Sequence, residues 1–410
     1  MVEGTPTLPR ESLQGSSSGT PSRGAARDCA SGAWAGRIAV AGVSSGQPCG
    51  MRDHAEILAA ALADVGLSHS DHWLARKESA PRRAHTEVGR WAHALERELR
   101  ERRPDAVLLH YSVFAYSYRG LPIFLGPVLS ALRDSQIPVL SFMHELAFPW
   151  GLGGWRGGAW ALTHRARLIE LVRLCGGVAL TTDFREQWLT SRPWLADRPT
   201  ALAPVFSNLP VPRVSPPLDR ERPRLGLFGY TYDDRAIALV LDTLAAVSRD
   251  RVEVEMALLG APGRHSPLAE RWLAGARARG LVGRLAFEGP LPAQQLADAL
   301  GACDVLLFAD GAGPSSRKGT LAGSLASGRP LVAVDGPRTW SELRRSDAVR
   351  VVEPKSEALA ATIAALLASR EERDALGARG GEFARREMGV RRSVAAVLEL
   401  LELMSVAQRA

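Results

Sequence analysis

Arg317 and Lys318 follow Ser315 and Ser316 in the stretch GAGPSSRKGTLAGSLASGRP, where a helix of small residues should begin. Two adjacent cations are unfavourable there, because the start of a helix already carries partial positive charge. An anion resolves the conflict. The serine hydroxyls, the first backbone N–H groups (those of Gly319 and Thr320 among them) and the two cations together make a phosphate site. Lysine is otherwise almost unused, occurring only as Lys77, Lys318 and Lys355. A solvated basic turn is the competing reading.

Three further places offer chemistry. Arg235 lies in the first turn after an apolar run that ends at Gly229, a second cation able to point at a cleft. His144 and Glu145 close another apolar run, 138–142, with the histidine readable either as a hydrogen-bonded structural residue or as a catalytic one. Gly50 ends the loop VSSGQPCG after the first strand, which either wraps a phosphate or only turns the chain. That loop is not GxGxxG, so dinucleotide binding and a Rossmann-type oxidoreductase are disfavoured. Asp233 and Asp234 read as a helix N-terminus rather than a metal site.

The elements that must position these residues alternate. Val305–Phe308, a Gly/Pro/Ser loop, a helix to Gly328 and Leu331–Val334 form a βαβ unit whose loop lies at the carboxyl end of a parallel strand, where open α/β sheets bind ligands. The first half offers strands at 37–42, 106–110, 138–142 and 177–181, with helices at 52–65, 84–101, 122–133, 163–174 and 184–189. In helix 84–101, Val88, Trp91, Leu95 and Leu99 make a buried stripe. Its opposite face carries Arg90, Arg97 and Arg100, read as a solvated face ahead of an anionic-membrane contact. An aromatic stretch, 111–121, and a flexible Gly/Trp loop, 147–160, offer surfaces for an acceptor through Tyr111, Tyr116, Tyr118 and Trp150, unless the loop's tryptophans only plug the domain surface. A second αβ series starts at Arg224, and a final amphipathic helix is expected over 382–404.

Length and composition fit this plan. A chain of 410 residues is long for one core. We expect a disordered segment 1–35, an N-terminal Rossmann-like domain 36–208, a proline-rich linker 209–218, a C-terminal Rossmann-like domain 219–381, and a closing segment 382–410 that returns to the N-terminal domain. The net charge of +7 is carried almost wholly by dispersed arginine, which favours acidic ligands but not nucleic acid. Arginine in place of lysine, with abundant alanine, fits a GC-rich bacterial genome. Cys29, Cys49, Cys175 and Cys303 show no ligand-like or disulfide-framework spacing, so no metal is expected. No apolar run reaches the ~18 residues of a membrane span, and no signal peptide is evident, so a cytoplasmic protein, at most peripheral on the inner face of the membrane, is expected.

The ordered set of motifs resembles glycosyltransferase family 4, the retaining nucleotide-sugar transferases of GT-B fold. The matching pieces are Cys49-Gly50 before a helix, LHYSVFAYSYRGLP followed by IPVLSFMHEL, APVFSNLP, LGLFGYTYDDRA, and LAFEGPLPAQQLADALGACDVLLFADG leading into SSRKGTLAGSLASGRPLVA. The resemblance implies an α/β protein of two Rossmann-like doubly wound domains facing across a cleft. It places Gly50 near the donor diphosphate, His144 near the transferred sugar, and Arg235 with Gly229 at the phosphates, although the arginine expected after the glycine is here Tyr230. The family's two glutamates, eight positions apart, fall on Ser315 and Gly323, and Arg317 and Lys318 take over phosphate binding. The implied partners are a nucleotide-diphosphate sugar and a saccharide, lipid-linked or natural-product acceptor, with no metal or other cofactor. Loss of both glutamates keeps open a GT-B pseudoenzyme that binds sugar nucleotide or a partner without transfer.

Overall fold

The computed structural model describes residues 36–46, 49–195, 197–214, 222–229, 233–249, 253–260 and 263–409. The segment 1–35 expected to be disordered, residues 215–218 of the proline linker, and Tyr230 lie outside them. The first half alternates β1 (Gly36–Ser44), α1 (Gly50–Ala63), β2 (Leu67–Ala75), α2 (Pro81–Arg102), β3 (Ala106–Ser112), α3 (Leu125–Ser135), β4 (Val139–Glu145), α4 (Gly154–Leu174), β5 (Gly177–Leu180), α5 (Asp183–Thr190) and β6 (Thr200–Leu202). The second half runs through β7 (Arg224–Phe228), α6 (Asp234–Arg249), β8 (Glu255–Leu259), α7 (Pro267–Arg277), β9 (Leu285–Gly289), α8 (Ala293–Gly301), β10 (Val305–Phe308), α9 (Gly319–Ala326), β11 (Leu331–Val334), α10 (Ser341–Arg345) and β12 (Arg350–Val352). Three helices close the chain: α11 (Ser356–Ala368), α12 (Arg370–Glu387) and α13 (Val390–Arg409).

Each half is a six-stranded parallel sheet, ordered β2-β1-β3-β4-β5-β6 and β12-β11-β10-β7-β8-β9. Central strands such as Val107–Leu109 and Val305–Phe308 are buried on both faces, because helices cover both sides of a parallel sheet. Strand order reverses between β1 and β3 in one sheet and between β7 and β10 in the other. Those reversals open crevices at the carboxyl ends of the strands, the ligand-binding position of doubly wound sheets. The two carboxyl edges meet. Val205 N donates to Ser316 O at 2.8 Å, and the Ser316 hydroxyl donates to Thr181 O at 2.7 Å.

Several local expectations are corrected. β2 was not anticipated: LSHSDHWLA buries only Leu67, so this edge strand lacks the apolar run of a central one. Its Trp73 ring lies where a Cβ on Gly42 would be 2.3 Å away, which fixes glycine in β1. The stretch 147–160 is not a flexible loop throughout, since α4 already begins at Gly154. The closing helix is two helices, α12 and α13. α13 packs Val394, Val397, Leu400, Leu401 and Met404 against Ile38, Val40, Leu108 and Leu140 of the N-terminal sheet. Each such buried aliphatic side chain stabilises the docking by about 1.5–3 kcal/mol.

Candidate functional site

The β10–α9 loop turns on Asp310. Its Oδ1 accepts from Ala312 N at 2.9 Å, and its Oδ2 pairs with Lys318 Nζ at 2.6 Å. Burial works against the Asp310 charge, but Lys318, the Ala312 N–H and Arg317 outweigh it and hold the carboxyl below its usual range. Arg317 pairs with Glu145 at the end of β4, across the meeting edges of the two sheets. The same carboxylate takes Arg185 Nη2 at 2.6 Å. Arg185, buried in the first turn of α5, also donates to His144 O at 2.6 Å and to Thr181 Oγ1 at 3.2 Å. Three cations and two carboxylates therefore converge where β4, β5 and β10 end.

The helix following this loop has no side-chain cap; Lys318 occupies its N-cap position and Gly319 is exposed. Its first-turn N–H groups remain available to an anion. Ser315 and Ser316 are not the open donors expected: both are buried, and the Ser316 hydroxyl is already spent on Thr181. Gly50 begins α1 with open space around its Cα, and no side-chain cap satisfies that helix start among the described residues. Arg235 is exposed in the first turn of α6, whose start is capped by Asp233 accepting from Ala236 N at 2.8 Å. Gly229 sits at φ +138°, a backbone conformation that only glycine adopts without strain, at the mouth of β7. Gly323 is buried in α9, and a Cβ there would lie 3.0 Å from Phe228 and 3.3 Å from Leu209. The position on which the resemblance places a second glutamate is thus filled by packing.

His144 is half-buried, and its imidazole does not stand alone. Phe142 and His144 share one face of β4, and His110 of β3 is in register with Phe142. His110 Nδ1 lies 3.1 Å from His144 Nε2, a hydrogen bond whose direction depends on the tautomer. His54, on the inner face of α1, stacks on Phe206 with ring centres 4.1 Å apart and meets His144 edge-on at 5.0 Å. Burial, followed by the charge of Arg185, pushes His144 down to about 3. Burial and the neighbouring imidazoles likewise push His54 and His110 well below the usual histidine range. All three rings are neutral at pH 7. His54 Nδ1 and Nε2 and His110 Nε2 are buried without a hydrogen-bond partner, an arrangement that costs about 1–3 kcal/mol per group.

Two of the expected acceptor residues are core residues. Tyr111 and Tyr116 are wholly buried, their rings stacked at 5.5 Å, with the Tyr116 hydroxyl donating to His110 O at 3.2 Å. The stretch 113–118 folds inward through Val113, Ala115 and Tyr116, so the aromatic pattern marks packing here. Tyr118 is half-buried under the Arg119 guanidinium, and Trp150 is 55% exposed beside Arg165. Sequence reasoning missed Arg185, Asp310, His54 and His110. Arg185 carried a usable signal, a cation in the first helical turn after a buried strand, the same pattern that singled out Arg235.

No protein-family model matches the chain, and a search of curated proteins returned no match. Solved structures do match. Sucrose-phosphate synthase from Thermosynechococcus elongatus is 16% identical, with 91% of this chain and 100% of that chain covered and a TM-score of 0.66. Anabaena HepE, in complex with UDP and glucose, is 14% identical over 90% and 99% of the two chains, TM-score 0.62. A putative UDP-N-acetylglucosamine 2-epimerase from Listeria monocytogenes is 14% identical over 89% and 97%, TM-score 0.57. The protein therefore has the GT-B architecture of two Rossmann-like domains. At these identities the likeness is one of fold. Among the described residues, no helix is long and apolar enough to cross a membrane.

Proposed function

We propose that this chain is a retaining glycosyltransferase of the family 4 type, moving a sugar from a nucleotide-diphosphate sugar to a saccharide, lipid-linked or natural-product acceptor. The observation that carries the reading is the pair Arg317 and Lys318 at the uncapped start of α9, beside the strand-order reversal of the C-terminal sheet. Breaking a sugar–phosphate bond builds negative charge on the departing diphosphate. Fixed cations and helix N–H groups stabilise that charge more in the transition state than before it. Arg317, Lys318 and Arg235 take this role, with Gly50, Gly229, Gly319 and Thr320 allowing close backbone approach. In a same-face transfer the leaving phosphate accepts the acceptor's proton, so no protein carboxylate need act as nucleophile. His144, neutral and reaching the cleft, contacts the sugar, and the acceptor lies toward Tyr118 and Trp150 on the N-terminal half. The transfer step itself calls on no metal or cofactor.

Calorimetric titration with UDP, GDP, ADP and dTDP, followed by turnover assays with sugars of the nucleotide that binds, tests the reading. One nucleotide should bind selectively, and His144→Ala should reduce turnover more than nucleotide affinity. Failure of all four to bind would sink the proposal. A second reading, a GT-B protein that binds sugar nucleotide without transferring, is favoured by one observation: Gly323 is walled in by Phe228 and Leu209 where the family carries a carboxylate. Selective binding without turnover on any acceptor would select it.

A further inference from the structure

We propose that His54, His110 and His144 form a binding site for a divalent transition-metal ion of the zinc type, held by three imidazoles with one coordination position open. The ligand nitrogens of the three residues all lie within 4.8 Å of one another. Zinc binds imidazole nitrogen at ~2.0–2.1 Å, which places the nitrogens of a tetrahedral site roughly 3.4 Å apart and their ring centres roughly 5 Å apart. His110 Nδ1 and His144 Nε2 are already 3.1 Å apart. The ring centres are separated by 5.9 Å for His54–His110, 5.0 Å for His54–His144 and 5.4 Å for His110–His144. Small ring rotations bring such a set onto one ion.

The unpartnered nitrogens are the second observation. His54 is 2% exposed and His110 is fully buried, yet three of their four ring nitrogens have no hydrogen-bond partner. Their surroundings, Phe142 and Phe206, ask only for a flat apolar ring, which phenylalanine would supply without that cost. A metal ion takes one of the two idle nitrogens of His54 and replaces the hydrogen bond between His110 Nδ1 and His144 Nε2, and imidazole suits zinc, copper, nickel and iron alike. The adjacent cation, Arg185, pairs with Glu145, which it shares with Arg317, so its charge beside the site is partly offset. His144 is the member that reaches the surface, so the ion enters on that side and keeps a water there as its fourth ligand. The three ligands tie α1, β3 and β4 together at the crevice beside β1. The site shares His144 with the proposed sugar contact, whereas the phosphate reading involves other residues.

The test uses the full-length protein stripped with chelator and titrated with Co²⁺ and then Zn²⁺. The expected result is one ion per chain, a tetrahedral cobalt spectrum, stoichiometric displacement by zinc, and an X-ray absorption fit with three imidazoles. His54→Phe keeps the stack on Phe206 and should weaken binding more than ~100-fold, since loss of mere outer-shell partners already costs 10–100-fold. His93→Ala, at an exposed histidine of α2, should change nothing. An octahedral spectrum, or affinity that survives His54→Phe, would overturn the site. Should His54→Phe fail to fold, the imidazole count on the wild-type chain still decides: fewer than three rejects the proposal. UDP binding measured on the stripped protein reads the phosphate site separately.

Discussion

Glu145 and Arg317 pair across the junction of the two halves, one closing β4 and the other preceding α9. The Glu145 carboxylate thus occupies a cation that a diphosphate would need, and it does so while holding Arg185 on its other oxygen. On the proposed function, a ligand phosphate and Glu145 compete for Arg317. Glu145→Gln should therefore strengthen nucleoside-diphosphate binding several-fold, on the order of 1 kcal/mol. Calorimetry checks it, and weaker binding would mean that Glu145 serves to position Arg317 for the ligand.

Replacing Arg317 and Lys318 together by alanine removes two charge-assisted contacts, each worth about 1.5–3 kcal/mol. Affinity for the preferred nucleoside diphosphate should fall at least ~100-fold. Unchanged affinity in the double variant would remove α9 from the donor site.

The Asp310–Lys318 pair sets a pH dependence. Because Asp310 titrates below its unfolded value of about 3.9, its contribution is present above that pH and disappears as the pH falls through the lower, folded value. Asp310→Asn should accordingly be less stable than the parent at pH 7, with the gap narrowing below about pH 4. Urea unfolding at both pH values reads the gap, and a gap independent of pH would show that the ion pair contributes nothing.

Gly323→Glu introduces the acid that the resembled family carries, at a position with little room for it. Contact with Phe228 and Leu209 should destabilise the fold by about 1–3 kcal/mol without raising turnover. A thermal midpoint equal to the parent's would mean that α9 shifts freely to admit the side chain.

The central strands were legible because a strand buried on both faces must be an apolar run, as at Val305–Phe308 and Leu331–Val334. The loop carrying Arg317 and Lys318 and the end of β4 could be placed at carboxyl edges because each follows such a run, whereas the order of the strands could not be read. β2 escaped because an edge strand needs no such run. Tyr111 and Tyr116 misled for the converse reason: aromatic rings suit a ligand surface and a core equally, and only the inward fold of residues 113–118 decides. The histidine cluster had no local signature at all. His54, His110 and His144 come from a helix and two strands, and only sheet register and the seating of α1 bring their rings together. The Gly-rich start of α4 read as loop since Gly153, Gly154, Gly157 and Gly158 have low helix propensity. Gly157 is nonetheless required, because a Cβ there would strike Leu152 O.

The return of α13 to the first sheet means that the polypeptide passes between the halves twice, once before β7 and once around Met388–Gly389. Two tethers define an axis. A lobe held by a single strand of chain swings in any direction, whereas one held at two points pivots like a lid on paired pins. Any relative movement of the halves is thereby restricted to fewer directions than a single tether would leave, and Arg317 and Glu145 face each other across that junction.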